Sequence, residues 1–476
     1  MTAFSQSIGS LLKEFYRCPQ PVADFALAAD LRTGAGYFRI KDGPICYGRS
    51  SDVQPTATAH ATLPEACPQV KPEWKTVCLP FDPAEVVANL RLEKYRVDGE
   101  SSGKNGGSPV RRLYYLLRPI MPVAVRKHLQ RIYLRGWDQI SFPQWPIDRS
   151  VDRLYEWLLA LAMEAEGIAE VPFVWFWPEG YSSCASITHD VETGAGRDFC
   201  AQLMDLNDSY GIKTSFQVVP EERYEVFPAW LDSIRERGFE VNVHDLNHDG
   251  DLFSTYEQFL ERASKINQYG KDYKARGFRS AVLYRKPAWM DHLDFAYDMS
   301  VPNVAHLDPQ RGGCCTVMPY FMGNLLEIPV TTTQDYSLFH ILCEYSTRLW
   351  EEQVAAITQA HGMATFIIHP DYVIEQRARR TYERLLKYLA DLKTNHNLWI
   401  ARPGEISDWW RARTQMHLVQ GGGTWRVEGQ GSERARVAYA RAEGNEIVYR
   451  VEQGADLSTH GRPGSTKATN SATFVV

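Results

Sequence analysis

The sequence predicts an α/β protein whose parallel sheet closes into a (β/α) barrel. The first observation is a regular alternation of short apolar runs and helical segments over roughly 230 residues. The second is the helix that opens this alternation at Ser150, in which Leu154 and Leu158 recur at helical spacing and which Gly167 ends. The third is that polar side chains capable of chemistry follow several apolar runs, where barrels of this kind carry their active sites.

Strands and helices can be assigned in order along this region. The predicted strands are 172–177, 185–188, 214–219, 239–243, 277–282, 295–298, 325–330, 364–368 and 398–401. Helices are predicted to end at Gly211 and Gly238, and to cover 255–269, 345–360 and 374–393. Because strands and helices alternate throughout, the strands are expected to be parallel.

The chain divides by composition into three predicted regions, and its length of 476 residues suggests ~3 domains. Residues 1–148 form an irregular mixed α+β region. Residues 149–416 form the barrel, which is the predicted catalytic domain. After a joint of three glycines at 421–423, residues 420–476 form a small β module with a polar tail.

Composition excludes several classes of protein. With 44% apolar residues the chain can bury a large core, and its net charge of −6 argues against a nucleic-acid partner. We find neither a secretory leader nor an apolar run of the ~20 residues that a transmembrane segment needs. The nine cysteines lack C-x-x-C spacing and are expected to be free thiols in the cytoplasm. Nothing in the sequence indicates the oligomeric state.

Two short segments contain the residues of a possible metal site. Segment 186–192 carries Asp190 and Glu192 after an apolar run, and segment 241–248 carries His244 and His248. A hydrolytic metal site uses imidazoles, a carboxylate and a separate base for the attacking water, and these four residues could supply them. Each segment also has a purely structural interpretation. The carboxylates could cap a helix, and histidines four apart could share a solvated helix face.

The order of these motifs resembles the polysaccharide deacetylase family, the NodB-type fold of carbohydrate esterase family four, over about residues 172–413. In its first motif the resemblance implies Asp190 as the base and Glu192 as a metal ligand. The family's H-S/T-x-x-H motif is similar to 244–248, which implies His244 and His248 as the other ligands. The fold implied is a distorted (β/α) barrel of NodB type.

Three further residues are assigned by the same resemblance. Segment 277–281 is similar to the arginine motif and implies that Arg279 holds the base, although Arg285 with the residues after it is a rival match. Segment 367–370 is similar to the late histidine motif and implies His369 as the acid. Asp298 falls where the family places the carboxylate that tunes this histidine.

The sequence departs from the family pattern at three positions. Glu192 replaces an aspartate, Asp245 replaces a hydroxyl residue, and Ala281 replaces a proline. These departures, at Glu192 and Ala281 above all, keep open a vestigial site in a glycan-binding or scaffold protein.

The function implied is a metal-dependent hydrolase that removes acetyl groups from an N- or O-acetylated saccharide. Its cofactor would be a divalent ion, most simply Zn²⁺, with Co²⁺ or Ni²⁺ in its place as a second choice. His369 after a buried strand can also be a purely structural residue. Two competing functions stay open at this point: an inactive binding or scaffold protein, and a hydrolase of another non-peptide C–N bond.

Overall fold

The computed structural model describes residues 8–19, 23–40, 43–60, 62–96, 128–129, 131–444 and 446–452. The principal α-helices of these residues are α1 (Ile8–Tyr16), α2 (Pro83–Arg91), α3 (Ser150–Glu166), α4 (Gly194–Ser209), α5 (Pro228–Glu236), α6 (Tyr256–Asp272), α7 (Arg348–Gln359), α8 (Pro370–Val373), α9 (Gln376–Asn395) and α10 (Pro403–Gln415).

The strands fall into a small N-terminal group, a long central series and a C-terminal group. They are β1 (Asp24–Leu27), β2 (Gly36–Ile40), β3 (Ile45–Gly48), β4 (Glu65–Ala66), β5 (Gln69–Lys71), β6 (Thr76–Leu79), β7 (Glu170–Val174), β8 (Ser183–Val191), β9 (Ser215–Val218), β10 (Glu240–His244), β11 (Gly277–Arg279), β12 (Tyr297–Asp298), β13 (Tyr320–Met322), β14 (Leu325–Glu327), β15 (Met363–Ile367), β16 (Leu398–Ile400), β17 (His417–Gly421), β18 (Thr424–Glu428), β19 (Val437–Glu443) and β20 (Glu446–Val451).

The central sheet is a curled (β/α) half-barrel, as the sequence predicted. Its strands run in the order β13-β14-β12-β11-β10-β9-β8-β15, and β16 also pairs with β8. All pairings are parallel except that of β13 with β14. All nine residues of β8 are buried, as expected for a strand covered on both faces.

Threonine hydrogen bonds join the segment after β14 to β15, where no strand pairing closes the sheet in the described residues. Within the described residues no strand pairing joins β14 to β15. Instead the Thr331 hydroxyl donates to Met363 O at 2.8 Å, and the Thr332 hydroxyl donates to Thr365 O at 2.7 Å. The Thr331 amide also donates to the Thr365 hydroxyl at 2.8 Å. The segment after β14 is therefore held beside β15 without a regular ladder.

The carboxyl edge of this sheet gathers residues that are far apart in sequence. Because β10 and β11 are parallel and in register, His244 lies directly opposite Arg279. Asp190 is the next-to-last residue of β8, and β8 pairs with β15, which leads to His369. Predicted site residues therefore meet at one edge.

One predicted barrel strand belongs elsewhere. The run 172–177 was expected in the barrel, but β7 pairs with β19 in an antiparallel three-stranded sheet with β20. The sequence could not show this, because a buried apolar strand looks the same whichever sheet receives it. The predicted division at residues 148 and 420 stays a prediction, and the polar tail 453–476 lies outside the described residues.

The N-terminal region packs against the half-barrel domain through a shared apolar cluster. Buried side chains of α1, β2, α3, β7 and β19 contribute to it, with Phe15, Phe38, Leu158, Phe173 and Ala438 as examples. Among the described helices, none is both long and apolar enough to cross a membrane.

Candidate active site

Two carboxylates lie where β8 ends. Asp190 is buried, whereas Glu192 is partly exposed one residue beyond the strand. Side chains two apart on a strand emerge on the same face, so both point to the same side of the sheet. Neither caps the following helix, because the N-cap of α4 is Thr193, whose hydroxyl accepts from the Gly196 amide. The helix-capping interpretation is therefore wrong.

Glu192 lies beside both imidazoles of the second motif. Its Oε1 is 2.9 Å from His248 Nε2 and 3.7 Å from His244 Nε2. Ligand-type atoms of the three residues all lie within 4.8 Å of one another. His244 ends β10 and His248 lies in the bend that follows, so the histidines do not share a solvated helix face.

Asp245 fixes the turn between the two histidines. Its φ is +56°, in the left-handed region, and so is that of His248. The Asp245 carboxylate accepts from the Leu246 amide at 2.6 Å and from the Ala281 amide at 3.1 Å. Two departures from the family pattern, Asp245 and Ala281, are thus bonded to each other and support the geometry of the histidines.

The nitrogen atoms of the two histidines fit a metal ion. His244 Nδ1 lies 3.1 Å from Arg279 O, and since a carbonyl only accepts, Nδ1 donates and Nε2 is the nitrogen left to bind a metal. Within the described chain neither His244 Nε2 nor His248 Nε2 has a hydrogen-bond partner of suitable geometry. Two imidazoles and one carboxylate are a donor set typical of zinc, and donation to a carbonyl is the usual support for such a ligand.

Arg279 binds and orients Asp190. Its Nη1 donates to Asp190 Oδ1 at 2.6 Å and to the Thr188 hydroxyl at 2.7 Å, while Nε donates to Met299 O at 2.9 Å. Burial would raise the pKa of Asp190, but Arg279 and then His244 outweigh it and lower that pKa below its usual value. Asp190 is therefore an ionised carboxylate.

The rival arginine, Arg285, has a different partner. It is fully buried, and its Nε and Nη2 donate to the two carboxylate oxygens of Glu93 at 2.6 and 2.5 Å. Glu93 also accepts from the Gly313 amide at 2.6 Å. Arg285 therefore ties the N-terminal region to the barrel, and Arg279 is the arginine that contacts Asp190.

His369 contacts the triad of Glu192, His244 and His248 through Glu192. Its Nε2 is 3.3 Å from Glu192 Oε1, and its Nδ1 is 2.6 Å from Asp335 Oδ1. The His369 amide also donates to Asp335 Oδ2 at 2.7 Å. Burial would lower the pKa of His369, but Asp335 and Glu192 raise it well above its usual value. The contacts with Asp335 and Glu192 therefore favour the protonated form of the His369 ring.

The prediction that Asp298 tunes His369 is wrong, because Asp335 occupies that place. Asp298 instead accepts from the Ser300 hydroxyl at 2.7 Å and lies opposite Glu327 in the β12–β14 pairing. Asp335 begins a helical turn after the threonine bridge, so no strand end marked it in the sequence. The signal that could have found it is an acidic residue between two stretches that are buried throughout, 328–333 and 337–339.

The structure thus brings together all the residues that the sequence assigned to metal and catalysis except Asp298. These are Asp190, Glu192, His244, His248, Arg279 and His369. Their roles in binding metal and in catalysis stay predictions.

Comparisons with known proteins found a likeness to solved structures only. No family model and no curated protein sequence matches the chain. Solved structures do match about half of it. A protein described as a polysaccharide deacetylase from Mycobacterium smegmatis is 15% identical, with a TM-score of 0.42 over 52% of this chain and 96% of that one.

Two other solved structures show the same pattern. PuuE allantoinase is 15% identical, with a TM-score of 0.39 over 50% of this chain and 92% of that one. The peptidoglycan deacetylase PdaC from Bacillus subtilis is 12% identical, with a TM-score of 0.33 over 50% of this chain and 95% of that one. The solved structures to which this chain is similar thus include polysaccharide deacetylases and an allantoinase.

Proposed function

We propose that this protein is a metal-dependent hydrolase that removes an acetyl group from an N- or O-acetylated saccharide. The observation that carries the proposal is the convergence of Glu192, His244 and His248, with the carboxylate of Asp190 and the imidazole of His369 beside them. Asp190 Oδ2 lies 3.7 Å from His244 Nε2, and His369 Nε2 lies 3.3 Å from Glu192 Oε1. A carbonyl placed at the triad would be within reach of both groups.

The three residues Glu192, His244 and His248 would hold a divalent ion, which we expect to be zinc, or else cobalt or nickel. When bound, such an ion polarises the substrate carbonyl and lowers the pKa of water toward ~7. Three protein ligands are typical of catalytic zinc sites, which keep a position open, whereas structural sites use four.

Asp190 is suited to be the general base. It is ionised, its Oδ2 lies beside the triad, and Arg279 bonds its Oδ1. In the proposed reaction it accepts a proton from the water whose oxygen adds to the acetyl carbon. Its carboxylate is oriented before substrate binds, which avoids reorganisation during the reaction.

His369 is suited to be the general acid. Asp335 fixes its Nδ1, so Nε2 is the nitrogen that faces the triad. When the C–N or C–O bond to the sugar breaks, Nε2 gives its proton to the departing amine or alkoxide, and acetate is released.

The departures that suggested an inactive protein do not open the site. Glu192, although longer than aspartate, lies within 2.9 and 3.7 Å of the two imidazoles. Ala281, in place of proline, donates its amide to Asp245 and so helps to hold the histidine turn. Both observations favour activity over a binding or scaffold role. The choice of an acetylated saccharide is supported by the motif resemblance of residues 172–413.

Acetate release from acetylated saccharides tests the proposal, with His369→Ala compared against His396→Ala, a substitution at an exposed histidine. General acid–base catalysis contributes ~10²–10⁴-fold, so His369→Ala should lose that much turnover while keeping its metal. His396→Ala should behave like wild type.

Three further outcomes bear on the proposal: the first tests the role of His369, and the other two distinguish the competing functions. Normal acetate release by His369→Ala would remove this residue from the mechanism. Hydrolysis of small amides or ureides without acetate release would favour a hydrolase of another C–N bond. Saccharide binding without turnover of any kind would favour the inactive binding protein.

A further inference from the structure

Another histidine, His189, lies next to the proposed base and has no role in the proposed reaction. His189 precedes Asp190 on β8, and its side chain is fully buried. Adjacent strand residues point to opposite faces, so His189 lies on the helix-covered side of the sheet. Its ring packs 4.9 Å from that of Phe216 and 5.9 Å from that of Tyr382.

A chain of three hydrogen bonds fixes the tautomer of this imidazole. The Tyr382 hydroxyl donates to Asn207 Oδ1 at 2.5 Å, and Asn207 Nδ2 lies 3.0 Å from His189 Nε2. An amide nitrogen only donates, so Nε2 accepts and Nδ1 carries the proton. Nδ1 then donates to Ile368 O at 3.0 Å. Burial lowers the pKa of His189 to about 4, which agrees with a neutral ring.

The last of these bonds, from His189 Nδ1 to Ile368 O, joins the residue before Asp190 to the residue before His369. The β8–β15 register ends with Ile367 opposite Thr188, and the Ile368 amide still donates to Thr188 O at 2.9 Å. Beyond that point the His189 side chain takes the Ile368 carbonyl. Ile368, the residue before His369, is therefore bonded through its amide to Thr188 and through its carbonyl to His189, the two residues that precede Asp190.

We propose that His189 is a positioning residue, whose imidazole sets the separation and orientation of His369 relative to Asp190 by holding the Ile368 carbonyl. This inference rests on the proposed function, because it concerns the acid and base of that reaction. The hydrogen bonds of His189 run to Ile368 and Asn207 and not to Glu192, His244 or His248, so it acts through the backbone of its neighbours.

The role can be tested through the leaving group. Acetylated saccharides release a poor leaving group that needs a proton from His369, whereas p-nitrophenyl acetate releases a phenolate that does not. Displacing His369 should therefore slow the first substrate and spare the second. A general loss of structure would slow both.

The experiment compares full-length His189→Phe, which keeps a ring but removes both hydrogen bonds, with Tyr382→Phe, which removes only the far end of the chain. Misplacing a reacting group by about 1 Å can cost ~10²-fold in rate. We expect His189→Phe to lower kcat on the acetylated saccharide by up to ~10²-fold at unchanged KM and metal content. Turnover of p-nitrophenyl acetate by this variant, and both activities of Tyr382→Phe, should stay close to wild type.

A third variant keeps the test valid if the phenylalanine disturbs folding. His189→Gln retains an amide donor for Ile368 O and should recover part of the kcat that His189→Phe loses. Equal loss on both substrates, or no loss on either, would overturn the positioning role while leaving the hydrolase intact. Failure of the wild type to release acetate from either substrate would instead overturn the proposed function, and this role with it.

Discussion

Two pairs of largely buried acidic side chains lie at the carboxyl edge of the same sheet, at the end of β8 and at the ends of β12 and β14. The first pair is Asp190 and Glu192, and the pKa of each is lowered below its usual value. The second is Asp298 and Glu327, and the pKa of each is raised. One pair is therefore ionised, whereas Glu327 in the other keeps its proton.

The difference comes from counter-charge and not from burial. Burial raises the pKa in all four residues and is the largest influence on each. Arg279 and the imidazoles overcome it at the first pair. At the second, the proton of Glu327 is needed to bond Asp298, because in the described residues Glu327 Oε2 has no other partner. Buried acids at strand ends therefore become candidates for catalysis only where cations accompany them.

The largest expected effect is on turnover. Asp190→Asn removes the proposed base and should lower acetate release by ~10²–10⁴-fold. Asp298→Asn is the matched substitution in the other pair and should leave turnover near that of wild type. The comparison would fail if Asp298→Asn lost as much activity as Asp190→Asn with its metal content unchanged.

Another buried acid, Glu93, extends the comparison to stability. Its cation, Arg285, is also fully buried, so Glu93→Gln leaves an uncompensated charge and should lower the free energy of unfolding by about 3–5 kcal/mol. Glu85→Gln breaks a similar pair with Arg49, which is half exposed, and should cost only about 0.2–1 kcal/mol. Denaturant unfolding of both variants measures this, and equal losses would contradict the distinction.

The smallest expected effect is a pH dependence at the protonated pair. Because the pKa of Glu327 is raised on folding, its contribution to stability is complete below the ordinary glutamate pKa and is lost as the pH rises. Glu327→Gln mimics the protonated group at every pH. Its stability relative to wild type should therefore increase between pH 5 and pH 8, by at most about 1.4 kcal/mol per pH unit.

Thermal unfolding of wild type and Glu327→Gln across this pH range provides the measurement. A constant difference between the two proteins from pH 5 to pH 8 would mean that Glu327 is ionised in the folded protein. The two pairs of acids would then not differ in charge state.

The sequence predicted the parallel sheet and most of the site because both leave local signals. Apolar runs between helical segments locate β8, β10 and β15, and polar residues at strand ends mark His244 and Arg279. Asp335 left no such signal, since its contact with His369 depends on where the helical turn after residue 334 packs against the sheet. Asp298 was chosen instead because a strand end shows where a carboxylate lies, but not which cation faces it.

Strand partners were likewise beyond the sequence. The run that became β7 has the burial of a barrel strand, yet its register with β19 joins it to the C-terminal sheet. The tie between Glu93 and Arg285 spans 192 positions of the chain, and no local pattern connects them.

Metal content, measured by inductively coupled plasma mass spectrometry on protein purified without chelators, tests the central claim most directly. Wild type should be compared with His244→Ala/His248→Ala and with His396→Ala/His417→Ala, in which two exposed histidines are replaced. The account predicts near-stoichiometric zinc, cobalt or nickel in wild type and in the surface variant, and none in the triad variant. Equal and negligible metal in all three, even after metal is added back, would contradict the hydrolase mechanism.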